Sequence, residues 1–526
     1  MGQTSAATLA YHAEQAGLPQ QTFDYSLQAG DEALQIYANA EAVAHYTRAL
    51  GLGQLASKEQ LIHVYRNCGR ALELIGRHTE ALARYEELAV LARERDDSAM
   101  QLASLLARAL ILTLDTPVHN SKQGLALAEQ ALVLAQTLGD RPSEAQALWV
   151  LMLACGFGQG DHLQAVDYGV RALALARELK MREQVAFILN DLGIFYPFHH
   201  AQWEASVAAL EEAASLWEEL GNLLMRAATL GMMGINAFLT GQYGRAATVL
   251  EESMRLRRSI QNMWGVAEAG VVWAYVCWEQ GDFGQAIALA SEGMRAGDQS
   301  GAYAGKVFGR LELGLFYSQL GAIDTGQTYG LEALRLGREH DQLFVAMSLA
   351  ALAWIDSMQG NLPQAEATIA EARRALEQRI SSPTEPHFVV LVGGLIALAQ
   401  GDSAGANAAA DEVIQMLAAM RLRLYLPDAG YLKGRALLAQ GRRDEARAAL
   451  EQARSVAEEM GCRRMLWPIL FALSQVVADS KERQRLLAEA GATIDYIAEH
   501  IGDPQLRASF LNTPAVQAVL QATGDG

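Results

Sequence analysis

The segments "GQYGRAATVLEESM" (Gly241–Met254) and "GDFGQAIALASEGM" (Gly281–Met294) are near copies set 40 residues apart. Matching glycines continue at Gly321, Gly360, Gly401 and Gly441, and occur earlier at Gly76 and Gly160. From Gly241 onward the spacing stays between 39 and 41 residues. The same period places units without a glycine near Tyr37, Thr116 and His200, which makes eleven units in register. A fixed period of this length is the mark of a repeat array rather than of separate globular domains.

Other positions repeat with the glycine. Five residues after it stands a small residue: Ala81, Ala165, Ala246, Ala286, Gly326, Ala365, Ala406 or Ala446. Seven residues before it stands another, at Gly69, Gly234, Ala274, Gly314, Ala353, Gly394 and Gly434, with Leu153 the exception. A glycine tolerates the left-handed conformation that ends a helix. Thr79, Asp161, Asp282, Asp324, Asn361, Asp402 and Asp444 follow the glycines as candidate N-caps for the next helix. Small residues on both sides of the turn let two antiparallel helices approach closely. Apolar residues at helical spacing, as in "EARAALEQARSV" from Glu445, fill between them. Each unit is therefore a helix hairpin, and one hairpin cannot bury its apolar face without neighbours.

Composition agrees. The 526 residues are 51% hydrophobic with only 11 prolines, and strict Val/Ile/Thr alternation is absent, so an all-α chain with a large core is expected. The 42 Lys and Arg against 60 Asp and Glu leave a net charge of −18, which argues against nucleic acid as a direct partner. The four cysteines, Cys68, Cys155, Cys277 and Cys462, are far apart and form no CxxC pair, so neither a zinc site nor a disulfide framework is expected. The start "MGQTSAATLAYHAEQ" lacks the basic and apolar regions of a signal peptide, and the apolar run from Phe388 is too short to span a bilayer. A cytoplasmic protein off the membrane is the expectation.

Gly at the turn, Ala five later and small residues seven before and twelve after resemble the tetratricopeptide (TPR) pattern. The period here, near 40, exceeds the usual 34, which implies longer helices. This long-period form is similar to the MalT-like TPR arrays of bacterial signalling ATPases of the STAND or AAA type. The opening segment Leu9–Leu50 resembles the junction that begins the TPR region in those regulators, and "GDPQLRASFLNTPAVQAVL" (Gly502–Leu520) resembles their closing text. The resemblance implies an all-α solenoid of about 11–12 stacked hairpins in a right-handed superhelix. It divides the chain into a lead-in helix at 1–24, the array at 25–500 and capping helices at 501–526. It further implies a non-catalytic sensor or scaffold module without cofactors that binds a protein, a peptide or a small molecule. A free-standing adaptor that bridges two proteins is the alternative reading.

The family's phosphate-binding GxxxxGK[ST] loop is absent, since "GAYAGKV" at Gly301 has the wrong spacing, so ATP hydrolysis is not carried over. No HExxH or GxSxG occurs. His199-His200 is the one paired histidine. It is read as an inter-helix turn, with an enzyme in a TPR shell as the remote alternative. By analogy with TPR arrays, the first helix of each hairpin lines the concave side. On its expected inner phase stand Phe157, Pro197, Phe238 and Trp278, with Phe198 beside them and Tyr275 and Trp354 one turn away. Such a stripe suits an apolar peptide or a sugar ring, while packing between adjacent hairpins is the competing reading. If the net acidic charge reaches the groove, it favours basic or neutral ligands.

Overall fold

The computed structural model describes residues 5–36, 38–114, 116–339, 344–377 and 384–524; Tyr37, the first phase point, lies outside them. All regular structure among the described residues is helical. Contacts divide the chain into two units, Met1–Ala209 and Leu210–Gly526.

The first unit begins with α1 (Ala6–Gln15). Hairpins follow: α2 (Pro19–Gln35) with α3 (Asn39–Leu50), α4 (Lys58–Leu74) with α5 (His78–Glu94), α6 (Ser98–Thr113) with α7 (Ser121–Leu138), and α8 (Arg141–Leu153) with α9 (His162–Glu178). Then come α10 (Arg182–Phe195) and α11 (Trp203–Glu219), and the division between units falls inside α11. Residues 1–24 thus hold α1 and the start of α2 rather than one lead-in helix.

The second unit continues the series. It pairs α12 (Leu223–Leu239) with α13 (Tyr243–Ser259), α14 (Met263–Gln280) with α15 (Phe283–Ser300), α16 (Tyr303–Gln319) with α17 (Ile323–Glu339), and α18 (Val345–Met358) with α19 (Leu362–Glu377). It goes on with α20 (Glu385–Ala399) and α21 (Ser403–Ala419), α22 (Leu426–Ala439) and α23 (Arg443–Met460), and a further pair, α24 (Arg463–Val476) and α25 (Ser480–Glu499). Two short helices, α26 (Pro504–Leu511) and α27 (Pro514–Gly524), close the chain.

Local chemistry explains the helix ends. All eight phased glycines have positive φ, between 69° at Gly160 and 88° at Gly281. In the glycine-less unit near His200, His200 and Ala201 take that conformation instead, with φ of 56° and 52°. Asp161, Asp282 and Asp402 cap the second helices through Oδ1, accepting from backbone N–H at 3.0, 3.1 and 2.8 Å. Three expected caps are corrected. Thr79, Asp324 and Asp444 lie inside the first turns of α5, α17 and α23, because those helices start earlier. The carboxylates there still meet the positive end of the helix dipole. Further caps stand between hairpins, at Asp97, Asp140, Asn222 and Asn262.

At Gly69, Gly234 and Gly434 the small residue seven before the turn has a specific partner nine after it. A Cβ on Gly69 would overlap the Tyr85 ring, and one on Gly234 or Gly434 would overlap Leu250 or Leu450. The side chain of the second helix lies on the bare backbone of the first. Leu153 breaks the pattern, and its helix runs on into a π-helical turn at Ala154–Gln159. Gly156 in that turn takes the bare position, beneath Phe195.

The second unit winds back on itself. Leu239 accepts from the backbone N–H of Arg423 at 2.9 Å and of Leu424 at 3.2 Å. Gly284 N–H donates to the His500 carbonyl at 2.7 Å, and Ser509 lies against Gly321. Turns of hairpins far apart in sequence therefore seal against each other, and the inner side of this unit becomes core.

Candidate functional site

The ring stripe expected on the inner phase separates by place. In the second unit Trp278 is 1% exposed and stacks between Phe283 and Phe316, with centroids at 3.7 and 4.2 Å. Phe238, 9% exposed, packs on Tyr243 at 5.8 Å and on Tyr275 at 5.4 Å. Tyr275, Trp278 and Phe316, with Trp354, Phe388 and Tyr425, surround a cavity of only about 20 Å³, room for about one water. In the first unit Phe157 and Phe198 are 53% and 36% exposed. They lie against Phe195 and His162, at 4.8 and 4.7 Å. Phe157 stands on the π turn Ala154–Gln159 and Phe198 on the 3-10 turn Tyr196–Phe198, at the turn ends of their helices.

Beside the stack lies a buried charge cluster. Arg464 on α24 donates from Nε to Glu279 Oε1 at 3.0 Å and from Nη2 to Asp428 Oδ2 at 2.9 Å. The Cys462 thiol donates to Glu279 Oε2 at 2.9 Å. Burial pushes the Asp428 carboxyl up to about 6 against the pull of Arg464. Burial alone lowers the Arg464 pKa, and Asp428 and Glu279 more than reverse that. Burial also raises the Cys462 thiol well above its usual range.

Besides a smaller cleft of about 400 Å³ between α21, α22 and α23, a larger one in each unit is open to water. The first, about 650 Å³, is lined by α4, α6, α8 and α10. Its walls carry Arg66, Arg70 and Arg182 against Glu73 and Glu183, with the amides of Asn67, Gln146 and Gln184 between them. Trp149 and Phe187 form an apolar step, ring centroids 5.6 Å apart. Trp149 is held by its indole N–H, which donates to Asp191 Oδ2 at 2.7 Å. Burial raises the Asp191 carboxyl to about 6, with the bonds from Trp149 and Asn190 opposing. The charge on these walls is a slight cationic surplus, so the acidity of the whole chain does not extend into this groove. Sequence reasoning missed it, since its markers are polar residues at no repeated phase.

The second cleft, about 740 Å³, lies in the second unit between the charge cluster and the closing helices α26 and α27. Trp354, alone of the six ring candidates, lines it, opposite Trp467, Phe510 and Pro514. Asp428 and Arg464 reach its floor.

Among the described residues no group of His, Cys, Asp and Glu is placed to hold a metal ion. His199 is bonded to Gln202 at 2.5 Å in the turn after α10, outside the walls of both clefts. No helix is long and apolar enough to cross a membrane among the described residues.

Comparison with known proteins places the fold. Residues 184–259 match the tetratricopeptide repeat family model. No curated protein matches the chain in sequence. A Rap protein solved in complex with competence and sporulation factor superposes with a TM-score of 0.52 at 14% identity, over 69% of this chain and 99% of its own. The apo form of the quorum sensor NprR from B. thuringiensis gives a TM-score of 0.49 at 18% identity, over 68% of this chain and 99% of its own. The chain is thus similar to helical proteins of TPR type, and its fold is a TPR-like α-solenoid.

Proposed function

We propose that this protein is a non-catalytic binding module whose first unit holds an extended peptide or protein segment in the groove of α4, α6, α8 and α10. The observation that carries this reading is the groove wall. Arginines stand on α4 and α10 and side-chain amides on α4, α8 and α10, beside a fixed indole step on α8. Amides pair with the peptide groups of an extended chain, which has none of its own backbone bonds satisfied. Arginine forks pair with carboxylates. The preferred segment therefore carries acidic side chains or a free C-terminus and one apolar residue for the Trp149 step. The fold relative solved in complex with competence and sporulation factor supports a binding role for such an array.

The finer reading is a sensor for a signalling ATPase or transcription regulator. It rests on the two end segments, 9–50 and 502–520, that resemble the MalT-like arrays. Binding in the groove would then favour one spacing of the hairpins over another, by as much as the ligand's affinity differs between the two.

Selection of random heptapeptides on the full chain tests the binding reading. Peptides enriched in Asp and Glu are expected. Their binding, followed by fluorescence anisotropy, should fall at least about tenfold in Arg66→Glu, which reverses an exposed charge on the wall. The helical circular dichroism should not change. Peptides that bind Arg66→Glu and Arg70→Glu as well as the parent chain would overturn the reading.

A further inference from the structure

Five aromatic residues converge on the cleft of the second unit: Phe283, Trp354, Tyr431, Trp467 and Phe510. At about 740 Å³ it falls within the size range of small-molecule sites. Its inner end is stopped. The stack of Trp278 on Phe316, and the 20 Å³ cavity beside it, leave no passage along the axis of this unit. A peptide chain cannot thread through, and α26 and α27 wall the opposite side. The shape therefore suits a compact molecule that enters and leaves by one mouth.

Polar groups restrict the ligand further. Asp428 and Arg464 form the floor, and Glu279, buried behind them, shares the same guanidinium, so the floor carries no positive charge to spare for an anion. The indole N–H groups of Trp354 and Trp467 make no hydrogen bond within the described residues. An indole nitrogen can only donate. Donors without protein acceptors, in walls where five aromatic rings stand among smaller apolar and polar side chains, call for a ligand that brings acceptors but no negative charge.

We propose that this cleft binds an uncharged, mainly aromatic small molecule that carries carbonyl or ether acceptors. The site is separate from the peptide groove of the first unit. Its ligand touches Arg464, which joins α14 to α22 and α24 through Glu279 and Asp428, so occupancy stiffens the contact between distant hairpins.

A matched pair of fluorescent probes tests the proposal on the full chain. Prodan is a neutral naphthyl ketone that brings a carbonyl acceptor, and 8-anilino-1-naphthalenesulfonate is a naphthalene of similar size with one negative charge. The neutral probe is expected to saturate at one per chain and to bind at least about tenfold more tightly than the sulfonate. Ala515→Trp fills the mouth from an exposed position on α27 and should abolish saturable binding. Met358→Trp, at an exposed position on the opposite wall, should do the same. Unchanged melting curves of both variants show that the fold is intact. Equal binding of the two probes, or binding that survives both fillings, overturns the proposal. So does failure of the neutral probe to saturate while a Phe- and Leu-containing peptide quenches Trp354 and Trp467, because the occupant is then a peptide.

Discussion

Arg464 reaches Glu279 at 3.0 Å although 185 residues of sequence separate them. The same guanidinium holds Asp428 at 2.9 Å, so one buried cation ties three helices, α14, α22 and α24. A buried cation shared by two carboxylates is sensitive to loss of a single member, since the remainder stays uncompensated away from water.

Arg464→Met should therefore destabilise the second unit by about 3–5 kcal/mol, because it leaves two buried carboxylates facing each other. The triple variant Arg464→Met, Glu279→Leu and Asp428→Leu should recover most of that loss. Denaturant unfolding read separately for the two units checks this. A triple variant as unstable as the single one would show that packing, not uncompensated charge, sets the cost.

Two glycines separate conformational strain from collision. Gly360 has φ of 77° and open space where a Cβ would stand, so Gly360→Ala should cost only about 1 kcal/mol. At Gly434 a Cβ meets Leu450, so Gly434→Ala should cost about 1–3 kcal/mol through overpacking. Leu450→Ala placed on Gly434→Ala should cost less than it does alone. Additive losses in that double-mutant cycle would contradict the contact between positions seven before and nine after the turn.

The Asp191 carboxyl is raised to about 6 from 3.8, chiefly by burial. The folded protein thus holds its proton to a higher pH than the unfolded chain does. This contribution is present below about pH 4 and is lost as pH rises through about 6. A shift of about two units corresponds to roughly 3 kcal/mol. Asp191 keeps part of its surface open, so the expected effect is roughly 1–2 kcal/mol. Melting temperatures of the parent and Asp191→Asn, compared from pH 4 to pH 7, give the difference. Parallel curves would remove Asp191 from the account.

All four cysteines are buried. For Cys155, Cys277 and Cys462 burial raises the thiol furthest, with Cys155 pushed to about 11 and Cys277 to about 12. A thiol-reactive dye should label none of the four in the native protein within minutes and all of them in guanidinium, because only the thiolate attacks. Rapid native labelling of Cys462 would mean that the contact between α14 and α24 opens readily.

Much of the hairpin chemistry is legible at short range. Gly241 and Gly281 announce their helix ends because a left-handed residue closes a helix within four residues of itself. Gly69 shows that a close approach exists, but its partner, Tyr85, is not evident until both helices are in place. The ring stripe was legible as a pattern and not as a location. Phe157 and Trp278 share a phase in the repeat, yet one is exposed and the other is the centre of a stack. The cleft of the second unit assembles from α18, α20, α22, α24 and the closing helices. No spacing within one repeat brings Trp354 and Trp467 together.

The sequence by itself determined the all-helical class, the period near 40 and the hairpin as the unit, since each depends on backbone conformation and side-chain size within a few residues. Only the tertiary structure decided that the second unit winds back until Leu239 meets Arg423 and Glu279 meets Arg464. That closure sums the small rotation between each hairpin and the next. A few degrees at every interface, set by how individual side chains pack, separate an open groove from a sealed core.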